Sequence, residues 1–125
     1  MSLSAERTIF IQIGPELRIP AVLECGANQV SLIPRPVLDR LVKAGWDRMR
    51  LEKLAHPILI KLGDNTSTVE VWETVTLDLE ILRQAGQLPV RNRRFLVWNV
   101  PGDEAIVDSD ILQALGINPY HAVNG

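Results

Sequence analysis

Cys25 is the only thiol in the chain, and it stands in Glu24-Cys25-Gly26-Ala27, directly after the apolar run Ala21-Val22-Leu23. A thiol becomes a catalytic nucleophile when a base lies within hydrogen-bond reach. His56 and His121 are the only histidines, and nothing in the sequence places either beside Cys25, so the thiol reads as inert and buried. The same three residues make no convincing zinc set, and neither a metal nor another cofactor is expected. Ser31 sits inside the apolar run Val30-Ser31-Leu32-Ile33 and needs no catalytic role. A second apolar run, Ala105-Ile106-Val107, leads into the acidic group Asp108-Ser109-Asp110. The one dense basic cluster, Arg91-Asn92-Arg93-Arg94, could meet phosphate or an acidic partner, but a solvated strand face accounts for it. Six aromatic residues are few for a platform that stacks nucleic-acid bases.

The elements that position these groups must come from 125 residues, which suits one domain spanning 1–125. With 46% hydrophobic and 22% charged residues the composition is that of a globular chain, able to bury roughly two-thirds of its unfolded surface. A net charge of −2 offers no general attraction to nucleic acid or anionic lipid, so neither is expected as a partner. The first residues lack a basic segment followed by a long apolar run, and no stretch approaches the roughly 18 apolar residues of a membrane span. A single cysteine excludes an internal disulfide. Together these features predict a soluble protein of the reducing cytoplasm.

Along the chain, residues 8–13 form a β-branched and aromatic run that ends at Gly14-Pro15, and residues 17–23 follow at once, which predicts a hairpin. Residues 30–33 predict a short strand, stopped by Pro34-Arg35-Pro36. Apolar residues at 37, 38, 41 and 42, with proline at the start and glycine at the end, predict an amphipathic helix over 36–45. Residues 56–62 and 67–82 read as two strands around the turn Gly63-Asp64-Asn65-Thr66, the second alternating apolar and acidic positions as a half-buried antiparallel strand does. Strands over 88–100 and 105–107 follow, and 111–115 predicts a second short helix closed by Gly116, with Asp or Ser as its cap. The reading is β-rich with two short helices.

Two of these segments, 21–34 and 105–117, carry a pattern that resembles the retropepsin-like aspartic protease family of retroviruses and retrotransposons. Ala21 to Pro34 is similar to that family's apolar strand, its Asp-Thr/Ser-Gly-Ala loop and the strand after it. Ala105 to Ile117 is similar to its apolar-apolar-Gly segment running into a C-terminal helix. The helix and long hairpin between them also suit the family, and the likeness spans roughly 8–118. The resemblance implies an all-β fold, a closed acid-protease-like β-barrel subunit with two short helices. It implies a homodimer in which each chain contributes one loop, a peptide or polyprotein as substrate, and aspartic-type endopeptidase activity. Glu24 would be the catalytic carboxylate, in a loop with Cys25, Gly26 and Ala27. Gly63, Asp64, Asn65 and Thr66 would form the tip of the flap over bound peptide. Ile106, Val107 and Asp108 would lie behind the catalytic loop. In the family the chain ends build an intersubunit sheet; residues 8–13 could supply such a strand, while 118–125 is polar and contains proline.

Three positions depart from the family. Glutamate stands for the catalytic aspartate: its acidity is close, about 4.3 against 3.9, but its side chain is one methylene longer. Cys25 replaces a hydroxyl with a weaker hydrogen-bond donor. Asp108 stands where the family has glycine; the favoured reading turns it outward to cap the following helix, a role for which Asp is strongly preferred, whereas inward it would add charge beside the catalytic loop. Two functions therefore stay open: an endopeptidase of reduced or shifted activity, and a catalytically inactive, retroelement-derived dimer serving as a peptide-binding or assembly module.

Overall fold

The computed structural model describes residues 7–15, 17–24, 31–61, 68–83 and 86–108. Seven strands and one helix occur among them: β1 (Arg7–Ile13), β2 (Leu17–Glu24), β3 (Leu32–Pro34), α1 (Arg35–Lys43), β4 (Met49–Lys61), β5 (Thr68–Arg83), β6 (Gly86–Trp98) and β7 (Ala105–Asp108). The second predicted helix, over 111–115, lies outside the described residues.

The sheet order is β1-β2-β7-β3-β6-β5-β4, and an added pairing of β1 with β5 closes six of the strands into a barrel, with β4 outside it. Closure removes the edges that an open sheet of this length would expose. Strict alternation fills the interior. Ile9, Ile11 and Ile13 from β1 point inward with Ile19, Ala21 and Leu23 from β2 and Val75, Leu77, Leu79 and Ile81 from β5. Phe95, wholly buried on β6, is the largest side chain in this core. A barrel of so few strands has an interior just wide enough for side chains to fill, so the centre is packed core and not a channel.

Prolines stand where the ladder can spare an N–H. Pro20 pairs with Phe10 of β1, and the pairing of β2 with β7 starts one residue later, at Ala21. Pro57 lies on β4, whose outer side has no strand partner among the described residues, within an irregular stretch between Lys53 and Ile58. Proline, lysine and a register break are devices that discourage edge-to-edge pairing.

Helix α1 begins with Pro36 in its first turn and buries Val37, Leu38 and Leu41, while Val42 of the predicted apolar face is exposed. Its end is a Schellman turn: Gly45, at φ +78°, donates its N–H to the Val42 carbonyl, and Trp46 donates to the Leu41 carbonyl, each at 3.0 Å. Arg35, at the helix start, forks onto the Glu73 carboxylate of β5 and donates a third hydrogen bond to Asn99 Oδ1. A guanidinium held this way ties the helix start to β5 and to the end of β6.

Residues 8–13, which could have supplied an intersubunit strand, are barrel wall within the chain: β1 pairs with β2 along its length and with β5 at Phe10–Gln12. One expectation is corrected. The strand expected over 56–62 starts at Met49, because residues 49–53 pair with Leu77 to Glu73 of β5.

Candidate active site

Glu24 is the last residue of β2, and Asp108 the last of β7. The two strands run parallel, in the register Ala21↔Ala105, Val22↔Ile106, Leu23↔Val107 and Glu24↔Asp108. Neighbouring strands lie about 4.8 Å apart, so two carboxyl-bearing residues end adjacent strands side by side. The local sequence accounts for this. Ala21, Leu23, Ala105 and Val107 are all buried and alternate into the barrel, which fixes the register against a one-residue slip that would turn them outward.

Asp108 is 2% exposed, so its carboxylate is buried and not turned to solvent, which corrects the outward orientation favoured from the sequence. Its backbone N–H donates to Ser31 Oγ at 3.2 Å, and Ser31 in turn accepts the Leu96 N–H on its carbonyl at 2.8 Å. Ser31, read from the sequence as needing no catalytic role, has a structural one: it links β7 to β6 in front of β3. Arg93 of β6 brings Nη2 to 4.0 Å from Asp108 Oδ2, an ion pair at the outer limit of contact. With its side chain 26% exposed, Arg93 departs from the solvated face expected of its cluster, whereas Arg91, Asn92 and Arg94 keep to it.

A β-bulge aims Arg93. Leu77 pairs with Arg93 but Leu79 pairs with Val90, so β6 carries one residue more than β5 across this interval. Asn92 takes up the slack at φ +55° and donates its N–H to Asp78 Oδ1 at 2.7 Å. The inserted residue reverses the alternation, placing Arg93 in phase with the buried Phe95 and Val97.

Ile106 and Val107 part company. Val107 belongs to the barrel interior, whereas Ile106 packs against a second apolar cluster formed by Leu32, Ile60, Val71 and Leu96. Ile58, Val69 and Trp98 pack there too, so the arms of the β4–β5 hairpin nearest its tip share an apolar cluster with β3, β6 and β7. Sequence reasoning missed this cluster; the apolar residues of 58–60 and 69–71, on both arms of one hairpin, are the signal that announces it.

Of the other expected site residues, Cys25, Gly26 and Ala27 lie outside the described residues, as do Gly63, Asp64, Asn65 and Thr66 at the hairpin tip. The side chain of Glu24 is likewise outside them, and its backbone alone places it.

A cavity of about 330 Å³ lies elsewhere, lined by Ile13, Gly14, Pro15, Arg40 and Trp46 among others. It is at the β1–β2 turn, the opposite end of β2 from Glu24, so it takes no part in carboxylate chemistry. Gly14, at φ +69°, closes against the Trp46 ring, where a Cβ would come within 3.1 Å.

His56 is on β4, whereas Cys25 and His121 lie outside the described residues. No helix among the described residues is long and apolar enough to cross a membrane. No protein-family model matches this chain, and no curated protein matches it.

Proposed function

We propose that the chain is one subunit of a homodimeric, retropepsin-like aspartic endopeptidase in which Glu24 supplies the catalytic carboxylate. The observation that carries this reading is the parallel pairing of β2 with β7, which joins at Glu24 and Asp108 two segments that are far apart in the sequence. The closed barrel and the β4–β5 hairpin, which bears residues 63–66 at its tip, are consistent with it.

The chemistry requires two carboxyl groups close enough to share one proton, one acting as base toward water while the other protonates the scissile carbonyl. Within one subunit the register neighbour of Glu24 is Asp108, and that carboxylate is buried against Arg93. The second working carboxylate is therefore Glu24 of another copy, which makes assembly a condition of activity. The hairpin arms offer a peptide an extended backbone partner, and the half-buried Ile58, Val69, Trp98 and Ile106 offer apolar side-chain contacts.

A second reading, a catalytically silent dimer that keeps the cleft for peptide binding or assembly, is favoured by the Arg93–Asp108 pair itself. Asp108 stands where the family has glycine, and here it carries an ion pair.

Assembly is tested by sedimentation equilibrium. The expected result is a dimer at micromolar concentration; monomer alone at high micromolar concentration would remove the second carboxylate and with it the proposed mechanism.

A further inference from the structure

Arginines that are remote in the sequence meet on one face of the sheet. Thr76 of β5 lies between Val75 and Leu77, both buried in the barrel, so its own side chain points to the outer face. Its register partners are Arg50 of β4 and Arg94 of β6. Directly paired residues share a face, so two arginines flank one threonine, each about 5 Å away across the strands. Two residues along β5 the same face carries Asp78, with Asn92 and Arg91 bonded to it. Arg48, which precedes β4, lines a depression of about 360 Å³ together with Arg50, Thr76, Asp78 and Asn92. Arg48, Arg50, Arg91 and Arg94 are all exposed. Arg91 reaches Asp78 at 3.9 Å, whereas Arg48, Arg50 and Arg94 make no ion pair among the described residues.

The depression opens beside a free strand edge. The outer side of β4 has no strand partner among the described residues, and the register break and Pro57 lie beyond Lys53, so residues 49–53 keep a regular edge. A chain laid there in extended form would exchange main-chain hydrogen bonds with β4, and its alternate side chains would stand beside Arg50 and Glu52 on the outer face. The side chains between them would stand beside Leu51, which is 45% exposed on the other face. We propose that this face docks an extended acidic peptide, which adds as a strand to β4 and sets carboxylates against Arg50 and Arg48, with Arg94 strengthening the positive field across Thr76. Guanidinium groups match the planar fork of a carboxylate. A phosphodiester chain suits the face less well, because its charge repeats without a break while Glu52 and Asp78 interrupt the arginines. A peptide meets that interruption with a neutral or basic residue opposite Glu52. The inference goes beyond the proposed endopeptidase and does not rest on Glu24.

The test is fluorescence anisotropy with the full chain at neutral pH and low salt. The probe is a fluorescein-labelled decapeptide that alternates glutamate with valine. Saturable binding that weakens as salt rises is expected, and a decapeptide alternating lysine with valine is expected not to bind. Arg50→Glu combined with Arg94→Glu is expected to weaken binding at least tenfold, since each reversal removes a surface attraction worth a few-fold and adds a repulsion. Circular dichroism confirms that the variant is folded. Arg18→Glu, a reversal on exposed β2 positions away from this face, is expected to change binding less than twofold. Two further probes carry methyl groups on alternate amide nitrogens, one in each phase, and the one whose methyls face β4 is expected to lose binding. No binding of the glutamate peptide, binding indifferent to the double reversal, or full binding by both methylated probes overturns the proposal. Tighter binding of an oligothymidylate than of the glutamate peptide, lost in the double reversal, also overturns it, because the face would then be a site for phosphate chains. Anisotropy reads binding and not cleavage, so an inactive chain would refute the endopeptidase while leaving this test decisive.

Discussion

Glu24→Asp is expected to raise peptidase activity, by up to about a hundredfold in kcat/KM. In the proposed dimer two glutamates would meet across a two-fold axis, each bringing one methylene more than the aspartates the chemistry is built on. A misplacement of about 1 Å at a reacting centre can cost about a hundredfold in rate. Intrinsic acidity changes little between the two residues, roughly 4.3 against 3.9, so geometry dominates. The backbone that carries residue 24 is fixed by the register of Ala21 to Glu24 on Ala105 to Asp108, and the substitution leaves that ladder intact. The measurement is the steady-state cleavage rate of one peptide by both proteins. Equal or lower activity in the aspartate variant would mean that the site is built around the longer side chain, or that residue 24 is not the working carboxylate.

Phe95→Ala is expected to cost about 3–5 kcal/mol of folding stability, the range found for truncating a buried aromatic. Phe95 is fully buried on β6, in register with Val75 of β5, and is the largest side chain in the barrel interior. Barrel strands are locked by pairing on both sides and cannot collapse inward to fill a ring-sized void. Small domains are stable by only about 5–15 kcal/mol, so this one change consumes a large part of the total. Leu59→Ala serves as the control: Leu59 is 63% exposed on β4, and an effect within about 0.5 kcal/mol is expected. Urea denaturation followed by circular dichroism reads both. A loss below about 1 kcal/mol for Phe95→Ala would contradict a close-packed barrel.

Local pattern carried the elements whose partners are near in sequence. The β1–β2 hairpin follows from alternating apolar residues around Gly14-Pro15, and α1 from its proline start, glycine end and apolar spacing. Closure of the barrel by β1 on β5 left no local trace, because it joins Phe10–Gln12 to residues 80–82 by pairing alone. The first half of β4 was equally hidden. Met49-Arg50-Leu51-Glu52-Lys53 is rich in residues that favour helices and becomes strand only by pairing with β5. Its mostly exposed edge position leaves little alternation to read.

At the site, the sequence singled out Glu24 and Asp108 through a family resemblance, and neither composition nor periodicity would have done so. Their adjacency is a property of a parallel pairing between distant strands. The role of Arg93 was masked by its neighbours, since Arg91 and Arg94 do form a solvated face. One clue was present. Val90 and Phe95 are five residues apart, and two apolar anchors at an odd spacing cannot share one face of a regular strand. An extra residue was required between them, and Asn92 tolerates the left-handed backbone it needs.

The central claim is that Glu24 performs peptide-bond hydrolysis. The most direct measurement incubates the purified, folded chain with a mixed peptide library from acidic to neutral pH and reads cleavage by mass spectrometry, with Glu24→Ala as background. The predicted result is a set of cleavages present in the wild type and absent from the alanine variant. Cleavage that persists in Glu24→Ala, or none above background from protein shown to be dimeric, would contradict the claim; the second outcome would leave a barrel that binds or assembles without cutting.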